Sequence, residues 1–121
     1  MTRRPSLESL DLARAIIDVI EDVKVEDIVL LDLHEITLIA DYFVICTGTS
    51  ERQLRAVVER LDTTIKKDHG ILPFHTEGQA GSGWVLIDYS SVVVHVFSEE
   101  ARRYYDLEGV WNEANVLLHM Q

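Results

Sequence analysis

Apolar residues recur at steps of three and four along two stretches of the chain, a spacing typical of amphipathic helices. The first stretch starts at Leu7, and Ser6 before it is the predicted N-cap. The second follows Ser50, which has capping-box spacing with Gln53, and Gly70 is its predicted C-terminal stop. The apolar positions are Leu10, Ala13, Ile16, Ile17, Val19 and Ile20 in the first helix, and Leu54, Val57, Val58, Leu61 and Ile65 in the second.

Shorter apolar runs, rich in β-branched and aromatic residues, predict strands. They cover residues 28–31, 42–46, 84–88 and 92–97. The last two runs flank Tyr89-Ser90-Ser91, which predicts a short hairpin turn. The segment from His34 to Ala40 fits either a hairpin connection or a short irregular arm, and the Gly-rich segment 71–83 is predicted to be a flexible loop.

Ser98 is the predicted cap of a third helix, and residues 112–121 either extend that helix or form a loose tail. The resulting order, α-β-β-α-β-β-α, predicts an α/β (α+β) fold. We expect a mixed sheet of about four to five strands with helices packed on it. We also expect residues 1–121 to form one domain with a core at about 7–111, because 121 residues suffice for one domain and not for two.

Composition narrows the classes of protein. Lys and Arg number 11 and Asp and Glu 21, so the net charge is 11 − 21 = −10. This argues against direct binding of nucleic acid and suits a basic protein partner, or simply solubility. Cys46 is the only cysteine, which excludes an internal disulfide and a Cys-based zinc site and fits a reducing cytoplasm. We expect neither a secretory signal nor a membrane span, because no apolar run is long enough.

Several segments are candidates for chemistry, and each also has a structural interpretation. Gly48-Thr49-Ser50, between a strand and a helix, could bind phosphate or simply turn the chain and cap the helix. The Gly-rich run 78–83 precedes a strand, so no helix dipole would face a phosphate there. Asp32, Asp41 and Asp88 lie near strand ends, where carboxylates can hold magnesium, but no strand carries an Asp-x-Asp pattern.

Two aromatic positions in the predicted strands are more specific. His95 lies within an apolar strand, where a hydrogen-bonded core histidine is the common explanation. Trp84 follows the Gly-rich segment and opens a strand, so the pattern leaves it either in the core or at an interface, where tryptophan is enriched. Strand alternation separates two sets of residues, Trp84, Leu86 and Asp88 on one face and Val85, Ile87 and Tyr89 on the other.

Three ordered segments carry a resemblance to a known family. The first is Ala40 to Ser50, ADYFVICTGTS, followed by Arg52-Gln53. The second is Glu77-Gly78 with the run GWVLIDY, and the third is VVVHVF followed by EARRYYDLE and Trp111. At this spacing the chain, over about residues 7–111, resembles the ribosomal silencing factors, also called the Iojap-like family.

The resemblance implies a binding protein without an enzyme activity, a cofactor or a metal. Family members dock on the large ribosomal subunit through its ribosomal protein number fourteen, block joining of the small subunit and repress translation when nutrients are short. Their fold resembles nucleotidyltransferases without a recognised catalytic set, and the resemblance allows a homodimer in the free state. On the matching positions, Trp84 is the partner-binding tryptophan; its expected neighbours are Glu77, Leu86 and Asp88 on the same face, with Tyr104 and Tyr105 beneath it or beside it.

Two alternatives to a ribosome-binding factor stay open at this point. A nucleotidyltransferase-like enzyme would use Gly48, Ser50 and the aspartates at the strand ends. A homodimeric scaffold would bury Trp84 between two copies of the chain.

Overall fold

A six-stranded mixed sheet forms the centre of the structure, a computed structural model that describes residues 8–121. The strands are β1 (Glu26–Asp32), β2 (Tyr42–Gly48), β3 (His75–Glu77), β4 (Trp84–Asp88), β5 (Val92–Ser98) and β6 (Asn115–Met120). They lie in the order β3-β4-β5-β2-β1-β6; β2 and β5 are parallel and all other neighbours are antiparallel. The predicted mixed α+β class is confirmed, with six strands rather than four to five.

The helices are α1 (Ser9–Asp22), α2 (Glu51–His69), α3 (Glu99–Tyr105) and α4 (Leu107–Val110), with a 3₁₀ turn at Ala80–Ser82. Helix α1 has Glu8 at its N-cap. The predicted cap, Ser6, lies outside the described residues. The predicted cap of α2 is confirmed, because the Ser50 hydroxyl accepts from the Gln53 N–H at 3.1 Å. The reciprocal hydrogen bond of a capping box, from the Ser50 N–H to the Gln53 side chain, is replaced by one from the residue before Ser50. The side-chain oxygen of Gln53 accepts from the Thr49 N–H at 2.7 Å.

Each face of the sheet is covered by a different pair of helices. Helices α1 and α2 pack on one face and bury a core that includes Ile16, Val44, Leu61 and Val94. The opposite face, which carries Phe43, Ile45, Val93 and Phe97, is covered in part by α3, Leu107 and Trp111. Successive side chains of a strand point to opposite faces of the sheet, so the same buried strands contribute apolar side chains to both cores.

The C-terminal segment is a strand, so the predicted helix extension or loose tail at residues 112–121 was wrong. β6 pairs antiparallel with β1, with Leu118 opposite Leu30. A helix cannot continue through Asp106, which ends α3 in the left-handed conformation at φ 44°. The free edge of β1 then offers backbone hydrogen bonds that the apolar C-terminal segment takes up.

Two segments whose secondary structure the sequence pattern did not define are ordered parts of the sheet and its connections. Residues 34–40 are the connection of the β1–β2 hairpin, which the Leu33 N–H closes on the Asp41 carbonyl at 2.8 Å. The segment 71–83 was predicted to be a flexible loop, but it contains β3 and the 3₁₀ turn. The sequence prediction failed here because a three-residue edge strand is specified by its partner β4, not by its own pattern.

Candidate functional site

Strand β4 divides its side chains between the two faces of the sheet as predicted. Val85 and Ile87 are buried under α1 and α2. Trp84 and Leu86 lie on the opposite face, where both are only half-buried. The face that carries the tryptophan is therefore the one that α1 and α2 leave uncovered.

The indole of Trp84 is held by aromatic rings and by one hydrogen bond. Its ring centroid lies 4.5 Å from that of Tyr105 on α3 and 5.0 Å from that of Phe97 on β5. Its Nε1 donates to Nδ1 of His95 at 3.3 Å. The predicted hydrogen-bonded core histidine is thus confirmed, and its donor is the tryptophan itself.

A cleft of about 240 Å³ opens beside this indole. Its lining residues are Glu77, Gly78, Ser82, Trp84, Leu86 and Tyr105. The register of β3 on β4 sets Glu77 opposite Leu86, and α3 brings Tyr105 over the ring of Trp84. The cleft therefore unites four of the six site residues predicted from the sequence.

The other two predicted site residues, Asp88 and Tyr104, lie outside the cleft. Asp88 is at the far end of β4, where its carboxylate accepts from the Ser90 N–H at 2.7 Å and lies 3.7 Å from the His75 ring. Tyr104 is exposed and does not pack beneath Trp84; its ring meets that of Tyr105 edge-on at 5.0 Å. The two residues extend the surface around the cleft without lining it.

Two carboxylates, those of Glu77 and Asp88, lie in the cleft lining and along the adjoining β3 edge. Glu77 is the acidic residue of its lining, and its carboxylate lies 2.9 Å from Nε2 of His75. Asp88 lies on the other side of His75, so two carboxylates share one imidazole along the β3 edge. This edge suits a basic partner surface, because complementary charge mainly speeds encounter and orients docking.

Sequence reasoning missed Arg102, which ties the site-bearing helix α3 to the sheet. The guanidinium donates to the Thr47 hydroxyl at 2.7 Å, to the Asp27 carbonyl at 2.8 Å and to the Glu108 carboxylate at 2.5 Å. Its side chain is almost fully buried, and a buried charge needs such complete pairing. Neighbouring Arg103 has the same side chain but is exposed, so no local signal separates the two.

The polar groups of Gly48-Thr49-Ser50, the segment that could bind phosphate, form the capping contacts of α2. The Thr49 N–H donates to Gln53, and the Ser50 hydroxyl accepts from the backbone of Gln53. A Cβ at Gly48 would lie 2.4 Å from Cδ1 of Leu54, so this glycine allows α2 to approach β2. The observed contacts are those of the turn-and-cap interpretation.

The strand-end aspartates belong to two separate histidine clusters. His34 lies 2.8 Å from Asp32 and 3.5 Å from Asp41, and the hydrogen bond that its ring donates to the Asp32 carboxylate raises the pKa of the imidazole. Asp88 instead faces His75. Within residues 8–121 no group of three or more His, Cys, Asp or Glu side chains is arranged to hold a metal ion. Over the same residues, no helix has the length and apolar character to cross a membrane.

Comparison with known proteins agrees with this fold. The model of the family described as "Ribosomal silencing factor during starvation" matches residues 6–121. The ribosomal silencing factor RsfS of Halalkalibacterium halodurans is 39% identical over 108 residues, which are 89% of this chain and 92% of the relative. RsfS of Bacillus subtilis is 42% identical over 94 residues, or 78% of this chain and 79% of that one.

A solved structure supports the same assignment. A crystal structure of a Chromobacterium violaceum protein superposes with a TM-score of 0.82 at 33% identity and covers 87% of both chains. The chain belongs to the family of ribosomal silencing factors. Its general role is therefore in the regulation of translation.

Proposed function

We propose that the chain binds the large ribosomal subunit through its ribosomal protein number fourteen. The bound factor blocks joining of the small subunit sterically and so represses translation under nutrient limitation. The contact face is the cleft around Trp84, with Glu77, Leu86 and Tyr105 in its lining and Asp88 and Tyr104 at its margin.

The observation that carries this proposal is the half-buried indole of Trp84 at an open cleft. Tryptophan and tyrosine supply large apolar contact areas at a low cost in side-chain entropy, which is why they dominate binding hot spots. Here Trp84 and Tyr105 already pack on each other, so little further ordering is required when a partner covers them.

The charge of the chain favours a basic protein surface over exposed ribosomal RNA. The net charge is −10, and the carboxylates of Glu77 and Asp88 line the edge of the sheet beside the cleft. RNA would repel such a surface, whereas a basic ribosomal protein would be attracted to it. The factor then acts by occupying space, which requires no catalytic residues.

The experiment is co-sedimentation of the purified chain with large subunits, followed by a subunit-joining assay. We expect Trp84→Ala to weaken binding by about 2–4 kcal/mol, the range of an interface hot spot, and to restore joining. Phe74→Ala is the matched control, because Phe74 is also an exposed aromatic residue but does not line the cleft. If the Trp84→Ala variant binds large subunits as tightly as the wild-type chain, the cleft is not the contact face.

A homodimer in the free state remains a prediction from the family resemblance. The described edge strand β6 exposes Val116, Leu117 and Leu118, and the Trp84 cleft is a second surface on which a copy could pack. Sedimentation velocity of the free chain and of the Trp84→Ala variant distinguishes the two surfaces. Dimers that persist in the variant exclude the cleft as the dimer contact.

A further inference from the structure

His95 is a polar residue in an otherwise apolar environment. The other residues of β5 from Val92 to Phe97 are valines and a phenylalanine, and the side chain of His95 is buried, with 3% exposure. Its ring meets Phe43 edge-on at 4.6 Å between centroids and lies parallel to Phe97 at 6.2 Å. An apolar side chain of similar size would satisfy this environment without the cost of burying a polar ring.

The one hydrogen bond of this ring goes to Trp84. Nδ1 accepts from the indole Nε1 at 3.3 Å, whereas Nε2 is buried without a partner among the described residues. Because Nδ1 must act as an acceptor, the neutral ring carries its proton on Nε2. The indole contact therefore selects the tautomer, although that tautomer leaves a buried donor unsatisfied.

Sheet geometry explains why this contact controls the orientation of the indole. Trp84 is opposite Phe97 in the β4–β5 ladder, and His95 is opposite Leu86, so Trp84 and His95 are diagonal neighbours on one face. Alternation along β4 decides only which face Trp84 occupies. The orientation of the ring on that face is fixed by its contacts: the N–H is bound by His95, and the ring packs on Phe97 and Tyr105.

We propose that His95 is a positioning residue for Trp84, one that accepts the indole N–H and holds the ring in the orientation that lines the partner-binding cleft. This inference rests on the proposed function of that cleft. The benefit is preorganisation, because an indole fixed before binding loses no rotamer freedom when the partner arrives. Burial lowers the pKa of His95 to about 4, so the ring is a neutral acceptor at physiological pH.

The contact can be tested on the free protein by the indole N–H resonances of Trp84 and Trp111, which Trp111→Phe assigns. We expect His95→Leu, which removes the acceptor, to shift and broaden the Trp84 resonance. His95→Asn should keep the resonance near its wild-type position, because the asparagine Oδ1 lies close to the position of Nδ1. An unchanged Trp84 resonance in His95→Leu would overturn the proposal.

The consequence for binding is measured by a double-mutant cycle in the large-subunit co-sedimentation assay. We expect His95→Leu to weaken binding about three- to ten-fold, the cost of immobilising one side chain. In a Trp84→Phe background, which lacks the N–H, the same change should have almost no effect. A merely structural role of His95 would give the same loss in both backgrounds, and that result would refute positioning.

The two proposals fail in different ways. If the wild-type chain does not co-sediment with large subunits, the proposed function is wrong, and the binding role of His95 is wrong with it. If the wild-type chain binds but the cycle shows no coupling between His95 and Trp84, only the positioning role is refuted. Urea unfolding of each variant shows that the fold is retained.

Discussion

The contact between Trp84 and His95 joins a half-buried residue to a buried one. Trp84 was recognisable in the sequence as a candidate for binding, and His95 as a core histidine, but nothing in the sequence paired them. The pairing depends on the register of β4 on β5, which sets Trp84 and His95 two positions apart across the ladder. Register is a tertiary property, because it depends on which apolar side chains find each other across the sheet.

Burial of His95 predicts a specific pH dependence of stability. The imidazole has a pKa of about 4 in the folded chain, against 6.5 for the exposed group, because burial disfavours its charged form. Between these values the unfolded chain binds the proton and the folded chain does not, so the unfolding free energy falls as pH falls from 6.5 to 4.

We expect this single group to lower the unfolding free energy by about 2 kcal/mol between pH 7 and pH 5. Urea unfolding at the two pH values measures it, and His95→Leu should remove that share of the pH dependence. An identical pH dependence in wild type and His95→Leu would show that the buried ring does not control it.

At the scale of elements, helix α2 and the cap of α3 followed local rules. Ser50, Ser98 and Gly70 occupy the capping positions that their sequence neighbourhoods indicated. Capping depends on residues within one turn, so it can be read from the sequence. Strands β3 and β6 could not be read in this way, because each is an edge strand that forms only against a partner strand. The three-residue β3 forms on the nearby β4, and β6 pairs with β1 from the other end of the chain.

The 3₁₀ turn and β3 depend on one glycine. Gly78 has φ +85°, and a Cβ there would lie 2.2 Å from the Trp84 carbonyl oxygen. We expect Gly78→Ala to lower the unfolding free energy by about 2–4 kcal/mol, from the strain of positive φ plus an overpacked contact. Urea unfolding measures the loss, and the altered Trp84 backbone should also weaken large-subunit binding.

Gly70 provides the matched control for this substitution. It also has positive φ, +68°, but no atom of residues 8–121 lies within 4 Å of an added Cβ. Gly70→Ala should therefore cost only the backbone term, about 1 kcal/mol. Equal losses in the two variants would mean that the close approach of Gly78 to Trp84 contributes nothing.

At the scale of the whole molecule, the two faces of the sheet differ in what covers them. Helices α1 and α2 cover one face, and the short α3 and α4 with Trp111 cover only part of the other. Trp84 and Leu86, which are only partly buried on that face, line the cleft. This asymmetry favours binding as the role of the fold.

The same arrangement predicts the response to nucleotides. Ser50 and Thr49 are engaged in the cap of α2, and Asp32 and Asp88 belong to different histidine clusters. We therefore expect no magnesium-dependent rise in melting temperature with nucleoside triphosphates. A ligand present at 100 times its Kd would stabilise the chain by about 2.7 kcal/mol, a shift of several degrees. Such a shift with magnesium and ATP, absent with ATP alone, would instead support the nucleotidyltransferase-like alternative.

The amino-acid sequence by itself determined the fold class, the capped helices, the four central strands and the alternation that puts Trp84 and Leu86 on one face. These features depend on periodicity and on neighbours within a few residues. Only the tertiary structure decided which face the long helices cover, where β3 and β6 pair, how Arg102 is buried and which atom accepts the Trp84 N–H. Those outcomes depend on contacts between separate elements of the fold, whose free energies are set by packing and desolvation rather than by neighbours within one turn.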